Sequence, residues 1–428
     1  MLKTISLIIV FAIATVDLSA TSMKDLFTAL KKQPVTKVDT EISKIAKAAE
    51  KKVNAAYYPA IDIFANYTHY NSPTNLRPLD PLATAKLNSN GDPLPFSQTI
   101  QKIGIKATVP IFIKELASLS QKVKYLAKSA QFKKRLNFLQ NEAIIVASNA
   151  SLKYIDSLLT ALRVTRKSLI KTESNLKISV KSGRTPAIAL DKIDEKVNQI
   201  DITINNVNIK RTALLSNIVK LTGIKLKAPV DMFLNKKIKK DNFFALKPLE
   251  EVVKASMSDY KAAKEKRYYP KVALSLLWSE NYAQHDVKYD KDVHRGYGYY
   301  SLGISMPLFD KTLDSDMQLK KIIIMKDKMK LQKTKNELAS EADTLWKQLK
   351  LLLNSEELKK NTIKKEENLL TYAKVAYKEG RMTEEDYLRY EDALISSKSN
   401  YYEAVSQKWQ TIAKLAVIYG NDLEGVIK

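Results

Sequence analysis

The sequence predicts a mainly α-helical chain that also carries four short β-strands with one apolar face. Two long coiled-coil hairpins, each joined to a pair of strands, form an internal duplication. Three observations predict this. Landmark residues recur at one fixed spacing, two proline- and glycine-free stretches carry heptad-like apolar spacing, and four short runs alternate apolar with polar residues.

The repeat comes first, because it governs every later assignment. Tyr57-Tyr58-Pro59-Ala60-Ile61-Asp62-Ile63 is similar to Tyr268-Tyr269-Pro270-Lys271-Val272-Ala273-Leu274. Lys102 to Phe112 is similar to Ser301 to Phe309, Lys181-Ser182-Gly183-Arg184 to Lys378-Glu379-Gly380-Arg381, and Leu221-Thr222-Gly223 to Ile418-Tyr419-Gly420. Three landmark pairs share one offset: Pro110 and Pro307 (307 − 110 = 197), Gly183 and Gly380 (380 − 183 = 197), Gly223 and Gly420 (420 − 223 = 197). Pro59 and Pro270 differ by 270 − 59 = 211, so 211 − 197 = 14 extra residues lie between the first and second landmarks of the first unit. A loop belongs there.

Taken in chain order, Met1-Leu2-Lys3 followed by the apolar run Ile5–Val16 reads as a secretory signal peptide over residues 1–20, cleaved after Ala20 or Ser22. The run is too short for the roughly 20 apolar residues of a membrane-spanning helix. Thr36–Tyr58 and Leu249–Tyr269 carry helical patterns. Stacked end to end with the shorter helices of the hairpins, they would supply missing length.

The strands come next. Ile61, Ile63, Ala65 and Tyr67 alternate with Asp62, Phe64, Asn66 and Thr68; Ile103, Ile105, Ala107 and Val109 alternate with Lys102, Gly104, Lys106 and Thr108. In the second unit Val272, Leu274, Leu276 and Trp278 form one such row, and Leu302, Ile304 and Met306 another. Period two with one uncharged apolar side fits a lipid-facing barrel wall. An ordinary antiparallel sheet in a soluble domain satisfies the same pattern. Pro59, Pro110, Pro270 and Pro307 mark the expected strand-to-helix junctions. Residues 71–98 and 283–296 are the expected outer loops, the first rich in the turn formers Pro73, Pro78, Pro81, Pro93, Pro95 and Asn90-Gly91.

The hairpins follow each strand pair. Leu116, Leu119, Val123, Leu126 and Ala130, then Ile193, Val197, Ile200, Ile204 and Val207, and Leu338, Ala342, Leu345, Leu349 and Leu352 repeat at alternating three and four. A helix of roughly 70 residues extends about 105 Å at 1.5 Å per residue. Such an element spans something rather than folding into one globule.

Composition excludes several classes. With no cysteine there are no disulfides, thiolate metal sites or cysteine nucleophiles. Three scattered histidines and ten glycines argue against a zinc enzyme, a Ser-His-Asp hydrolase or a Gly-rich nucleotide cradle. Gly296, Gly298 and Gly303 do not have dinucleotide-fingerprint spacing. No enzyme and no cofactor is expected. His285, Asp286, Asp290, Asp292 and His294 have metal-ligand chemistry, but without a template they read as a solvated loop. The formal charge of +25 raises nucleic acid as a partner. The lysines are instead dispersed among acids, as in KEKR (264–267) and KKEEN (364–368), which describes solvated helix faces.

The duplication, the phrases IKATVPIF (105–112) and ISMPLFDK (304–311), and the turns SGRTPAIALDKID (182–194) and EGRMTEEDYLRYEDA (379–393) resemble the TolC-like outer membrane efflux proteins, also called outer membrane factors, over nearly the whole mature chain. The resemblance implies a homotrimer whose four strands per chain close a 12-stranded β-barrel in outer membrane lipid, continuous with a trimeric α-barrel tunnel in the periplasm. It implies helices over 23–58 at the equator of the tunnel, a first strand hairpin over 59–110, a first helical hairpin over 111–223 and an equatorial segment over 224–269. A second strand hairpin over 270–307, a second helical hairpin over 308–420 and a tail over 421–428 complete the chain. The implied function is the passive exit duct of a tripartite efflux system, with a periplasmic adaptor protein and an inner-membrane transporter. Exit of a secreted polypeptide and a pore-free periplasmic scaffold or adhesin remain the competing readings.

The same resemblance puts Gly183, Arg184, Gly380 and Arg381 at adaptor-docking tips. It puts Asp386 at a ring that narrows the entrance, with Arg389 where a second acid is common and Asp191 displaced by two positions from the equivalent place in the first unit. Three Asp386 and three Arg389 would pair rather than form a purely anionic ring. All of these residues also suit a plain reading as helix caps and surface charges.

Overall fold

The computed structural model describes residues 22–92, 94, 96–283 and 292–428. The candidate leader 1–20 lies outside them, as do His285, Asp286 and Asp290. The elements are α1 (Met23–Lys32), α2 (Pro34–Ala55), β1 (Ala60–Asn75), α3 (Pro81–Ser89), β2 (Phe96–Ile113), α4 (Lys114–Lys181), α5 (Ile188–Thr222), α6 (Lys247–Tyr268), β3 (Lys271–Ala283), β4 (Val293–Ser305), α7 (Lys311–Lys378), α8 (Glu384–Tyr419) and α9 (Leu423–Val426). The duplication is visible in the bounds: α4 and α7 each have 68 residues and begin 311 − 114 = 197 residues apart. Helices α5 and α8 both end at a left-handed glycine, Gly223 and Gly420.

The chain divides into two compact units. The first comprises the chain up to Ser43, Gln131–Pro248 and Gln332–Lys428. Its core joins Leu26, Phe27 and Leu30 of α1 to Ile145 and Leu152 of α4, Ile218 of α5, Trp409, Ile412 and Ala416 of α8, and Leu423 of α9. Helix α1 starts at a capping box. The Ser22 hydroxyl accepts the Asp25 N–H at 3.3 Å, and the Asp25 carboxylate accepts the Ser22 N–H at 3.0 Å.

The segments expected to lengthen the shorter helices begin where those helices end. The Gln33 side-chain amide, next to the first residue of α2, donates to the Thr222 carbonyl at the end of α5 (2.7 Å). Phe244, in the 3-10 turn that leads into α6, lies against Gly420 at the end of α8, where a Cβ would meet its ring at 2.6 Å. Glycine is therefore required at 420 for space as well as for its φ of +77°.

The second unit comprises Lys44–Ala130 and Leu249–Leu331 and holds one antiparallel sheet in the order β1-β2-β3-β4. The strands run longer than the alternation alone indicated. Strand β1 continues to Asn75 with a register shift after His69, and the first loop contains α3, capped by Asp80. Strand β4 starts at Val293, so Gly296, Gly298 and three tyrosines that obscured the alternation belong to it, whereas Met306 lies outside it. Pro110 is a correction: it is no junction but sits inside β2, which runs to Ile113 before α4 begins. Pairing with β3 resumes at Phe112↔Val272 after an irregularity. Proline lacks an N–H, and a break in the ladder is where a strand tolerates it. Pro59 and Pro270 directly precede β1 and β3, and Pro307 lies between β4 and α7.

Candidate functional site

The register brings the four alternating rows onto common faces. Ile63 pairs with Ile105, Ile105 with Trp278 and Trp278 with Gly298; Val109 pairs with Leu274, and Leu274 with Leu302. One face therefore carries Ile61, Ile63, Ala65, Ile103, Ile105, Val109, Leu274, Leu276, Trp278, Tyr300, Leu302 and Ile304. It is uncovered: Ile63 is 78% exposed, Leu302 63% and Ile304 69%. A contiguous exposed apolar patch of this kind marks an interaction surface. Tyr67 and Tyr282 border it at the loop end, and Tyr58, Tyr268 and Phe309 are exposed near the helix end. Glu280 is the acid on this face, at the loop end, where it contacts His294, itself stacked on Tyr282 with ring centroids 4.5 Å apart. His294 is thus engaged within the sheet.

The opposite face is polar. Asp62, Asn66, Lys102, Lys106, Thr108, Ser275, Asn281, Arg295 and Ser301 lie on it by register. At its loop end Leu76 packs on Ile100, Ala283 and Val293. Strands β1 and β4 are the sheet edges, each with one row of unpaired backbone groups. At the helix end, the Arg267 guanidinium donates to Asp314 (2.9 Å) and to the Pro307 carbonyl (2.9 Å), pinning the turn from β4 into α7. Lys271 and Glu115 pair at 2.9 Å beside the β2–α4 junction.

The two helix reversals are built alike. Arg184 N–H donates to the Ser179 carbonyl (2.9 Å) and Gly183 N–H to that of Val180 (3.0 Å). Arg381 N–H donates to Ala376 (2.9 Å) and Gly380 N–H to Tyr377 (3.1 Å). Both glycines have positive φ, +68° and +70°, and a Cβ on either would meet nothing within 4 Å. Backbone conformation rather than crowding selects glycine here. Arg184 is exposed, and Arg381 lies 3.2 Å from Glu379.

Beyond the turns the two helical hairpins differ. Asp386 is held in the first turn of α8: the Thr383 hydroxyl accepts its N–H (3.1 Å) and donates to its carboxylate (2.8 Å). Arg389 lies 3.7 Å from the same carboxylate, so the two residues pair within one chain. Asp191 is exposed in the first turn of α5, whose N-cap, Ala187, offers no side-chain hydrogen bond. The structure does not bring Asp191 and Asp386 into equivalent environments. Tyr377 and Tyr387 stack across the second reversal (5.3 Å, 18°), a contact that sequence spacing did not reveal.

Sequence reasoning also missed a buried polar cluster in the first unit. Glu142, fully buried in α4, accepts the Leu423 N–H at 3.3 Å. Burial, with the Asp422 charge beside it, pushes its pKa up to about 8. Burial also raises Asp422, but the Arg135 hydrogen bond (2.8 Å) and charge outweigh it and leave Asp422 below the usual range. Lys31 pairs with Glu424. Glu142, Asp422 and Glu424 bring carboxylate oxygens within 4.8 Å of one another. Arg135 and Lys31 already balance the two ionised members, so the group is an ion-pair network that ties α9 to α1 and α4. A charge pair 287 residues apart in sequence leaves no local signal.

No protein-family model and no curated protein sequence matches the chain. Solved structures do. The chain is similar to the outer membrane protein VceC of Vibrio cholerae, with 12% identity over 94% of this chain and 97% of that chain and a TM-score of 0.71. It is similar to the open-state MtrE outer membrane channel of Neisseria gonorrhoeae, with 13% identity over 97% and 94% and a TM-score of 0.70. It is also similar to the CmeC outer membrane channel of Campylobacter jejuni, with 14% identity over 94% and 85% and a TM-score of 0.69. At such identities the likeness is one of fold. The chain has the fold of outer membrane channel proteins, as its resemblance to TolC-like efflux proteins implied.

Proposed function

We propose that the chain is one third of an outer membrane channel-tunnel, the passive exit duct of an efflux system. The observation that carries this reading is the four-stranded sheet with one bare apolar face, one polar face and two open edges. An isolated sheet of this kind is unstable in water because its apolar face lacks a partner, and in lipid because its open edges would leave backbone groups without hydrogen bonds. Threefold closure removes the edges, turns the apolar face to lipid and leaves the polar face around an aqueous lumen. The helices support the same assembly. Ile322, Met325 and Met329 on α7, Leu351 and Leu358 on α7, and Ile202 and Ile209 on α5 are exposed at three-, four- and seven-residue spacing. Such stripes suit burial against neighbouring helices in a cylinder.

In this assembly the helical reversals point into the periplasm. Gly183, Arg184, Gly380 and Arg381 dock an adaptor there, and Asp386, Arg389 and Asp191 surround the entrance. The adaptor and an inner-membrane transporter supply energy and direction, while this chain supplies a sealed path. The test is extraction in detergent followed by planar-bilayer recording. A stable trimer that conducts ions is the expected result. A monomer soluble without detergent, with no conductance, would favour a periplasmic scaffold or adhesin instead.

A further inference from the structure

The polar face of the sheet is unevenly charged. Its row nearest the loops runs Thr68, Ile100, Ala283 and Val293; the next runs Asn66, Lys102, Asn281 and Arg295. That second row holds two cations, two carboxamides and no carboxylate. The following row, Phe64, Gly104, Ser279 and Tyr297, is uncharged. Asp62 appears only in the row after that, directly opposite Lys106. Four residues of strand separate Lys102 from Lys106, about 13 Å at 3.3 Å per residue. The Debye length is about 8 Å at physiological ionic strength, so Asp62 offsets Lys106 and leaves the Lys102 row positive.

Among the described residues, nearby groups do not neutralise that row. Among the described residues neither Lys102 nor Arg295 has an ion-pair partner; Arg295 donates to the His294 carbonyl at 2.7 Å. Asn281 is committed, its amide donating to the Leu76 carbonyl (2.8 Å) and its oxygen accepting from Ser279 (3.2 Å). Glu280 lies on the opposite face, Asp80 caps α3, and Asp92 and Asp292 belong to the loops. Arg77, next to Leu76, adds a third cation at this end, and among the described residues its buried Nε has no hydrogen-bond partner. A buried guanidinium nitrogen left unsatisfied favours an acceptor.

The geometry points to a cationic belt, formed by Lys102 and Arg295 with Arg77 beside it, that binds small polyvalent anions in the strand portion of the lumen and favours passage of anionic over cationic solutes. This rests on the channel reading above. Lys102 and Arg295 stand two strands apart, about 10 Å, so an anion of several charges contacts both. Three copies place six such cations, with no acid among them, around one level of the barrel.

The experiment uses the purified full-length protein in planar bilayers under a KCl gradient, with tripolyphosphate added on the side of the strand loops. The reversal potential integrates the whole path, whereas block by tripolyphosphate is local to the belt. Wild type should favour chloride and be blocked. The Lys102→Gln/Arg295→Gln double variant should lose block by at least about tenfold and shift its reversal potential toward potassium. Lys106→Gln, which removes a cation already offset by Asp62, should change block by no more than about twofold. Retained conductance of the double variant at high salt shows that it has folded. Potassium selectivity in wild type, or block that survives the double variant, overturns the belt. Absence of any conductance sinks the channel reading itself.

Discussion

Glu142 shows how one side chain ties stability to pH. Its carboxyl is buried beside Asp422, which stays ionised because Arg135 holds it down. Raised from 4.5 to about 8, the folded-state pKa lies above the unfolded one, so the folded chain binds the extra proton between those values. The stability that this proton confers is fully present below pH 4.5 and is lost as pH rises toward 8. Asp422 acts in the opposite direction, its contribution disappearing as pH falls through its depressed pKa. Glu142→Gln can still donate to Asp422 and accept from Leu423. It should raise the thermal midpoint at pH 8.5, by the equivalent of roughly 1–3 kcal/mol, and leave it nearly unchanged at pH 5. An equal shift at both pH values would show that Glu142 is ionised throughout.

At the scale of elements, the sheet carries its information in register. A slip of one residue in any strand would exchange its apolar and polar rows. Placing a charge on the apolar face should therefore cost far more than placing the same charge on the polar face. Ile63→Arg, central in the bare apolar face, should destabilise the lipid-inserted protein by about 2–4 kcal/mol. Ser301→Arg, on the polar face of β4, should cost little. Urea or heat denaturation of both variants in the same bilayers measures the difference. If both cost the same, neither face meets lipid. The alternation that defines these faces was legible in Ile61–Thr68 and Lys102–Val109, and in β4 only at its end, in Leu302 and Ile304, and not from Val293 to Tyr300. There Gly296, Gly298 and the run of tyrosines carry no period, and only pairing with β3 assigns them to a strand.

On the scale of the whole assembly, Asp386 and Arg389 carry the test of the entrance. Asp386 is shared between a helix cap and the arginine one turn on, so each chain presents a nearly neutral pair rather than an anionic group. Replacing Asp386 and Arg389 by Asn and Gln removes the pairing while Thr383 can still cap α8. Single-channel conductance should rise if these groups narrow the mouth, and only modestly, since each surface pair is worth only about 0–1 kcal/mol. Unchanged conductance places the constriction elsewhere.

The duplication, its 197-residue offset and the left-handed glycines that end each long helix were determined by the sequence alone, because they are local: apolar spacing, the lack of helix breakers and the φ that only glycine adopts readily. What only the tertiary structure decided was non-local. Pro110 reads as a terminator in isolation, yet β3 holds the strand beyond it. Glu142, Arg135 and Asp422 meet only when α9 returns to α4. Lys102 and Arg295 share a row only because β2 and β4 flank β3 in register, and pairing across strands depends on hydrogen-bond geometry that no window of sequence contains.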